Sequence, residues 1–272
     1  MVPKVVTQAA AIPRQLVRGR LPIREPDVVD LSVVIPAFNE QDRIGASIDS
    51  VCRYLRTLGR SWELIIVDDG SSDGTAAVAA SLAACEGGRI RLIRSPRNGG
   101  KGHALRTGVL ASRGADVLVT DADLSAPIAE LDRLWAMRGG AVAAIGSRSE
   151  RSTIGVRQNP VRETLGRLGN LLIRAVAVRG IADTQCGFKL FRGPEARALF
   201  AMARLDGWGI DVEILHLCAR FGWPVAEVPV RWSHVSGSKL RPGAYLQVLT
   251  DIVYVRLVHR WGRPPATGVP LA

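Results

Sequence analysis

Between residues 31 and 146, short and continuous apolar runs alternate with segments that have the periodicity of an α-helix. The runs are apolar along their whole length, as in Leu31–Ala37 and Trp62–Asp68, which is typical of strands buried on both faces of a sheet. Apolar residues between them recur at three- and four-residue spacing, as in 40–58. The alternation predicts an α/β fold: an open, twisted, mostly parallel, Rossmann-like sheet with helices on both faces.

The predicted elements divide the chain into three parts. Strands are predicted at Leu31–Ala37, Trp62–Asp68, Arg89–Arg94, Asp116–Thr120, Val142–Gly146, Gly187–Arg192 and 225–232. Helices are predicted over 40–58, 74–86, 100–112, 127–138, 163–178, 209–221 and 243–261. Four prolines argue against a long regular element before residue 30. We therefore expect a flexible extension over 1–30, a domain over 31–240, and a basic helix and tail over 241–272.

The charge of the chain favours anionic partners. Lys and Arg total 36 against 25 Asp and Glu, which gives a formal net charge of +11 at pH 7. Nucleic acid, anionic lipid and phosphorylated small molecules are all attracted by such a surplus. Aromatic residues make up only 5% of the chain, and no helix-turn-helix, RRM or zinc pattern occurs, so nucleic-acid binding is not predicted. The four cysteines form no CxxC pair, which argues against structural zinc.

Acidic residues follow three of the predicted strands: Asn39-Glu40, Asp68-Asp69 and Asp121-Ala122-Asp123. Ligands of open α/β sheets bind at the carboxyl ends of the strands, so these groups are expected at one edge. Two aspartates at positions i and i+2 of an extended segment project to the same side, where they can share a divalent cation. The alternative for each segment taken alone is an ordinary turn, because Asp and Gly are common turn residues.

A glycine-rich basic loop, 97–102, precedes the helix predicted at 100–112. Backbone amides at the start of a helix, together with Lys101, are expected to face a phosphate. The spacing is not that of a P-loop, and no GxGxxG motif is present. A loop that only caps the helix is the alternative.

Taken together, the motifs resemble family 2 glycosyltransferases of the GT-A fold, and most of all the dolichyl-phosphate and polyprenyl-phosphate sugar synthases. The matching segments are VVIPAFNE (33–40), IIVDDGSSDGT (65–75), RNGGKGHALRTG (97–108), TDADLSAP (120–127), GSR (146–148), DTQCGFKLFR (183–192), GWGIDVEIL (207–215) and the run RW to GSK (231–239). They span residues 31–240 in order. DTQCGFKLF resembles the glucosyltransferase branch in particular.

The resemblance implies a role for each matching residue. The residues expected to bind the nucleotide sugar are Pro36, Phe38, Glu40, Asp68, Asp69, Lys101, Asp121, Ala122 and Asp123. Asp121 and Asp123 are expected to hold Mg²⁺ or Mn²⁺ against the diphosphate. The residues expected near the acceptor and its phosphate are Arg148, Asp183, Gln185, Arg231, Ser238 and Lys239. Asp123, Arg148 and Asp211 are the expected catalytic residues.

The implied reaction is an inverting, metal-dependent transfer of a hexose from UDP-glucose or GDP-mannose to polyprenyl or dolichyl phosphate. Glucose is favoured and mannose comes next. A lipid monophosphate is largely ionised at neutral pH and needs little help from a general base. The alternative is a soluble family 2 enzyme with a small-molecule or protein acceptor. A sugar hydroxyl acceptor requires a base, for which Asp211 is the candidate.

The last predicted helix suggests how such a chain meets a lipid acceptor. No run reaches the ~20 apolar residues that a spanning helix needs. Residues 231–263 carry six Lys or Arg against one acid, Asp251, and Tyr245, Leu249, Ile252 and Val253 fall near one stripe. A basic amphipathic helix of this kind is expected to lie in the lipid headgroup layer. The predicted location is cytoplasmic and peripheral, on the cytoplasmic face of the membrane; the alternative is that the helix packs on the domain.

Overall fold

The computed structural model describes residues 28–148, 180–233 and 243–259. The strands are β1 (Val29–Ala37), β2 (Trp62–Asp68), β3 (Ile90–Arg94), β4 (Gly114–Val119), β5 (Ala143–Ser147), β6 (Lys189–Arg192) and β7 (Val225–Pro229). The helices are α1 (Gln41–Thr57), α2 (Thr75–Cys85), α3 (Lys101–Leu110), α4 (Leu131–Arg138), α5 (Gly193–Met202), α6 (Ile210–Arg220) and α7 (Gly243–Val258), and a short 3-10 turn (Ile128–Glu130) precedes α4. The helix predicted at 163–178 and nearly all of the 1–30 extension lie outside the described residues.

Within the described ranges, seven strands form one sheet in the order β3-β2-β1-β4-β6-β5-β7. β1 pairs in parallel with β2 and β4, β2 with β3, and β5 with β7. β6 is antiparallel to both of its neighbours, β4 and β5. The prediction of a mostly parallel α/β sheet is therefore confirmed.

Side chains of the strands supply an apolar core on each face of the sheet. In β1, Val33 and Ile35 join the core under α1, α2 and α4, whereas Val34 joins the core under α3, α5 and α6. Successive residues of a strand point to opposite faces, so a strand that is apolar throughout fills both cores. This double burial explains why the strands lack the alternating pattern of a half-exposed sheet.

Differences from the predicted elements are concentrated in the second half of the chain. Helix α5 was not predicted, although Pro194 occupies its first turn as a helix-starting proline does. Strand β7 ends at Pro229 instead of residue 232, and β6 begins at Lys189 instead of Gly187. The predicted helix 127–138 begins as a single 3-10 turn.

The carboxyl ends of the first strands meet at one edge of the sheet. Ala37 at the end of β1 is paired with Asp68 at the end of β2, and Val34 is paired with Val119 at the end of β4. The loops that leave β1, β2 and β4 therefore lie side by side. These are the loops that carry the three acidic segments found in the sequence.

Helix α7 packs on α6 by only part of its surface. Val255 is buried against the domain, whereas Val253, Tyr254, Leu257 and Val258 are 57%, 46%, 63% and 38% exposed. In the described part of the chain, no helix is long and apolar enough to cross a lipid bilayer.

Candidate active site

A buried carboxylate with one free oxygen lies at the end of β2. Asp68 is fully buried, and its Oδ1 accepts a hydrogen bond from Ser71 N at 3.1 Å. Among the described residues, its Oδ2 accepts no hydrogen bond, and Arg94 Nε lies 3.5 Å away. A cleft of about 290 Å³ opens beside them, lined by Gly70, Ser71, Arg94, Ser95 and Pro96. A buried acceptor without a donor is costly unless a ligand supplies one, so this end of the site suits an N–H donor.

Asp69 ties the glycine-rich loop to the sheet edge. Its carboxylate accepts hydrogen bonds from Gly99 N at 3.1 Å and Gly100 N at 2.6 Å, and its Oδ1 lies 3.2 Å from His103 Nδ1. Asp69 was predicted to bind the nucleotide sugar. The direct contacts of this carboxylate are with the loop that leads to Lys101.

The expectation that amides at the start of α3 face a phosphate is wrong. Gly102 N and His103 N both donate to the carbonyl oxygen of Asp206, at 2.7 and 3.2 Å. In the loop before the helix, the amides of Gly99 and Gly100 are held by Asp69. Lys101 is therefore left as the group of this loop that reaches the site.

Alternating charges run through the centre of the site. Lys101 Nζ lies 3.0 Å from Asp121 Oδ1 and 3.2 Å from Asp211 Oδ2. The other oxygen of Asp211 forms an ion pair with Lys189, which is buried in β6. The ring of Trp208 covers the Lys101 ammonium, with its centroid at 5.3 Å. Asp211 thus has two ammonium groups as partners.

The ionisation of these groups follows from that arrangement. Burial by itself raises the pKa of Asp211, but the charges of Lys101 and Lys189 outweigh it, and the net pKa lies below its usual range. Burial lowers the pKa of Lys101, but Asp121 and Asp211 outweigh it, and the net pKa lies above its usual range. Asp211 is therefore an ionised carboxylate with a low pKa, which makes it a poor general base at neutral pH.

Asp121 and Asp123 are partly exposed, and their carboxylate oxygens are the kind of ligand that a hard cation prefers. Asp123 Oδ1 accepts a hydrogen bond from Ser125 N at 3.0 Å. Gly187 lies so close to Asp121 that a Cβ atom at residue 187 would overlap its carboxylate. Within the described ranges, no three His, Cys, Asp or Glu side chains converge as a metal site. The chemistry of these two carboxylates fits a divalent cation, which Asp121 and Asp123 would hold.

Backbone strain in the described residues is concentrated in these same loops. Asn39, after β1, and Leu124, after β4, are non-glycine residues with φ of 54° and 47°. Such conformations cost free energy and often occur at ligand-binding sites. Of the other site residues predicted in this region, Pro36 in β1 and Phe38 after it are half-buried, and Glu40 forms an ion pair with Arg43. Ala122 is buried between the two aspartates of the β4 loop.

Arg148 and Asp183 form a two-point ion pair on the other side of the site. Arg148 Nε and Nη2 lie 2.7 and 2.9 Å from the two Asp183 oxygens, and the Arg148 backbone N–H also donates to Asp183. Burial raises the pKa of Asp183, but the guanidinium outweighs it and the net pKa is lowered. The Arg148 guanidinium lies over Trp232, 5.5 Å from the ring centroid. Gln185 lies in the same loop, where its backbone N–H donates a hydrogen bond to Asp183 Oδ1.

Arg231, another predicted phosphate ligand, pairs with the buried carboxylate of Glu130 in the 3-10 turn. Ser233 N donates to Ser125 O at 2.9 Å, so the segment after β7 is fastened beside the Asp123 loop. Ser238 and Lys239 lie outside the described residues. The predicted roles of these residues, and of the other site residues, stay predictions.

Three residues with direct roles in this geometry were not singled out from the sequence. Lys189 neutralises Asp211, Trp208 covers Lys101, and Arg94 approaches Asp68. Lys189 and Trp208 lie inside motifs that were recognised, GFKLF and GWG, so a signal was present. Arg94 had no such signal, because a basic residue at the end of a strand is common.

Residues 32–195 match the sequence model of glycosyl transferase family 2. The matched segment includes the glycine-rich loop and both aspartates of the β4 loop. The chain belongs to glycosyl transferase family 2. It is therefore a glycosyltransferase, and the predicted family is confirmed.

Family 2 relatives cover most of the chain. A dolichyl-phosphate beta-glucosyltransferase of Dictyostelium discoideum is 36% identical over 91% of this chain and 79% of its own length. A protein of the same name from Homo sapiens is 35% identical over 85% of this chain and 76% of its own length. Both relatives carry the activity that the motif DTQCGFKLF suggested.

Solved structures of two sugar-phosphoglycerate synthases share the fold of this chain. A Mycobacterium tuberculosis glucosyl-3-phosphoglycerate synthase, in complex with Mn²⁺, UDP and glucosyl-3-phosphoglycerate, superimposes with a TM-score of 0.62 and 21% identity over 88% of this chain and 82% of that chain. A mannosyl-3-phosphoglycerate synthase of Rubrobacter xylanophilus gives a TM-score of 0.60 at 21% identity over 89% of this chain and 79% of that chain. At this identity the likeness establishes the GT-A fold alone.

Proposed function

We propose that the protein transfers glucose from UDP-glucose to a polyprenyl or dolichyl phosphate, with inversion at the anomeric carbon. The similar dolichyl-phosphate beta-glucosyltransferases support the sugar, the acceptor and the β configuration of the product. We also propose that the catalytic domain reaches from residue 31 to residue 240, beyond the segment that the family profile matches.

One observation carries the choice of acceptor: the carboxylates expected to face it are already ion-paired. Asp211 lies between two lysines, and Asp183 is held by Arg148 at two points. Neither is suited to take a proton from a sugar hydroxyl, because the pKa of each is lowered. A phosphate monoester, whose second pKa is near ~6, arrives as an ionised nucleophile and needs no such base.

The free oxygen of Asp68 supports uridine as the nucleoside of the donor. Among the described residues, Oδ2 accepts no hydrogen bond and has Arg94 Nε 3.5 Å away, whereas Oδ1 already accepts the Ser71 amide. A uracil presents one N–H donor on this edge, whereas guanine presents two adjacent donors and is matched best by a carboxylate with both oxygens free. UDP-glucose is also the donor bound in a Mycobacterium tuberculosis enzyme of the same fold.

The proposed reaction is a single displacement. An oxygen of the acceptor phosphate attacks C1 of glucose, the bond from C1 to the diphosphate oxygen breaks, and UDP leaves with the electron pair. In this reaction Lys101 would stabilise the charge that develops on the diphosphate, and Arg148 would guide the acceptor phosphate. Asp121 and Asp123 would hold a Mg²⁺ or Mn²⁺ ion, which supplies Lewis-acid stabilisation of the leaving group.

The test of this function is a transfer assay with a panel of donors and acceptors. We expect UDP-glucose and polyprenyl phosphate in detergent, with Mg²⁺ or Mn²⁺, to give β-glucosyl phosphopolyprenol and UDP. GDP-mannose and UDP-N-acetylglucosamine serve as alternative donors, and 3-phosphoglycerate as the soluble acceptor. Transfer to 3-phosphoglycerate without transfer to the lipid would support the soluble alternative and contradict the proposal.

We further propose that the enzyme contacts the membrane through the exposed face of α7, formed by Val253, Tyr254, Leu257 and Val258. Arg256 lies in this helix, and Arg260 and Arg263 follow it in the sequence. Exposed apolar groups flanked by arginines suit the anionic surface of a cytoplasmic leaflet. This contact would bring the site to an acceptor that is embedded in lipid.

Vesicle binding tests this contact. We expect the protein to co-sediment with phosphatidylcholine vesicles that contain phosphatidylglycerol, and Leu257→Asp to weaken that binding at least about tenfold because a buried leucine contributes 1.5–3 kcal/mol. Met137→Asp, at an exposed apolar residue of α4, is the matched control. Equal binding of wild type and Leu257→Asp would rule out α7 as the contact.

A further inference from the structure

Behind the active site, a buried carboxylate connects three parts of the fold. Glu213 of α6 is 0% exposed and accepts hydrogen bonds from Arg204 N at 2.8 Å and Leu205 N at 2.9 Å. Its Oε1 also lies 2.6 Å from Nε2 of His259, the buried residue that follows α7. We call Glu213 and His259 the clasp. It joins α7 to the turn at 204–209.

The turn at 204–209 supports the start of α3. The carbonyl oxygen of Asp206 accepts the amides of Gly102 and His103, the second and third residues of the helix. Gly100 has a φ of 100°, and a Cβ atom at Gly100 or Gly102 would overlap the carbonyl oxygens of the turn. The two backbone segments are therefore in direct contact. A shift of the turn must move the first turn of α3, which begins with Lys101.

Helix α7 also touches the far end of the same turn. The Asp251 carboxylate lies against Gly209, where a Cβ atom would come within 2.6 Å of it. Burial and the charge of Glu213 both raise the pKa of Asp251. Between the two contact points is Trp208, whose ring covers Lys101. Residues at and after the end of α7 are thus linked to both ends of the turn that carries Trp208, the residue beside the Lys101 ammonium.

We propose that Glu213 and His259 are positioning residues that hold Lys101 in place through the turn at 204–209. The inference rests on the proposed function, in which Lys101 contacts the diphosphate of the donor. Within the clasp, the imidazole of His259 is the group that links the end of α7 to Glu213 Oε1. Loss of the imidazole would remove this link, and α7 and the turn would separate.

Amide hydrogen exchange and UDP binding test the proposal with the variant His259→Leu. We expect exchange of the Gly102 and His103 amides to become about tenfold faster, because the buried hydrogen bond that helps to hold the turn carrying their acceptor is lost. We expect the affinity for UDP, measured calorimetrically with Mn²⁺, to fall by a similar factor. His259→Gln, which retains a side-chain N–H donor, should restore both.

Val51→Ala is the control for lost stability, since it removes buried apolar volume from α1 on the opposite face of the sheet. It should lower the melting temperature without faster exchange at Gly102 and His103. If His259→Leu lowers the melting temperature and leaves that exchange unchanged, the clasp is structural only and the proposal fails. If His259→Leu does not fold, His259→Asn, with a shorter amide, replaces it. The exchange experiment contains no substrate, so its result tests the clasp whatever the acceptor is. A wild type that binds no UDP would instead contradict the proposed function.

Discussion

Replacing Asp123 with asparagine is expected to lower glucosyl transfer roughly 1000-fold, equivalent to about 4 kcal/mol of lost transition-state stabilisation. The amide is a much weaker ligand for a divalent cation than the carboxylate, so the charge on the departing diphosphate is no longer neutralised. The fold should persist, because an asparagine oxygen can still accept the Ser125 amide that Asp123 Oδ1 accepts now. Steady-state transfer and calorimetric Mn²⁺ binding in the presence of UDP measure the two effects.

Asp49→Asn is the matched control, since it makes the same change at an exposed position of α1. It should leave transfer and Mn²⁺ binding unchanged. Near-normal turnover of Asp123→Asn, or full activity of the wild type in EDTA, would contradict a metal role for the β4 loop. A variant that loses transfer but keeps Mn²⁺ affinity would assign Asp123 to another part of the reaction.

The first half of the fold could be predicted from the sequence because its signals are local. Trp62–Asp68 was predicted with the bounds that the structure has, since a run buried on both faces stands out between two helical segments. The direction of β6 and its position between β4 and β5 could not be predicted. A four-residue strand with the sequence KLFR has the same pattern of charged and apolar residues in either direction, and its neighbours are set by packing across the whole sheet.

For the candidate site, residue types were predictable and their partners were not. The sequence indicated Asp69 at the sheet edge and Lys101 in a phosphate-facing loop, and the family resemblance implied a site role for Asp211. It gave no sign that Asp69 holds backbone amides, or that the start of α3 is capped by the carbonyl of Asp206. A backbone carbonyl has no sequence signature, since every residue carries one. The amides of the glycine-rich loop were therefore assigned to a phosphate that they do not face.

Replacing Asp211 with asparagine is expected to destabilise the protein by about 3 kcal/mol, because it leaves the buried Lys189 ammonium without its counter-charge. Denaturant unfolding measures this loss. Since the pKa of Asp211 is lowered in the folded state, its contribution is full above the unfolded pKa of about 4 and disappears as the pH falls through the lower, folded value. The variant should therefore lose less stability than the wild type between neutral pH and pH values below about 4.

The same substitution separates a charged structural partner from a general base. If Asp211 acted only as a base, Asp211→Asn would lower turnover and leave the free energy of unfolding unchanged. With Asp211 as the partner of two lysines, the double variant Asp211→Asn, Lys189→Met should recover much of the lost stability, because both members of one buried pair are then removed. Lys101 retains Asp121 as its partner in that variant, 3.0 Å away. Recovery of stability by the second substitution would identify Asp211 as a charged structural partner of Lys189. An enzyme without a base at Asp211 is suited to an acceptor that carries its own negative charge.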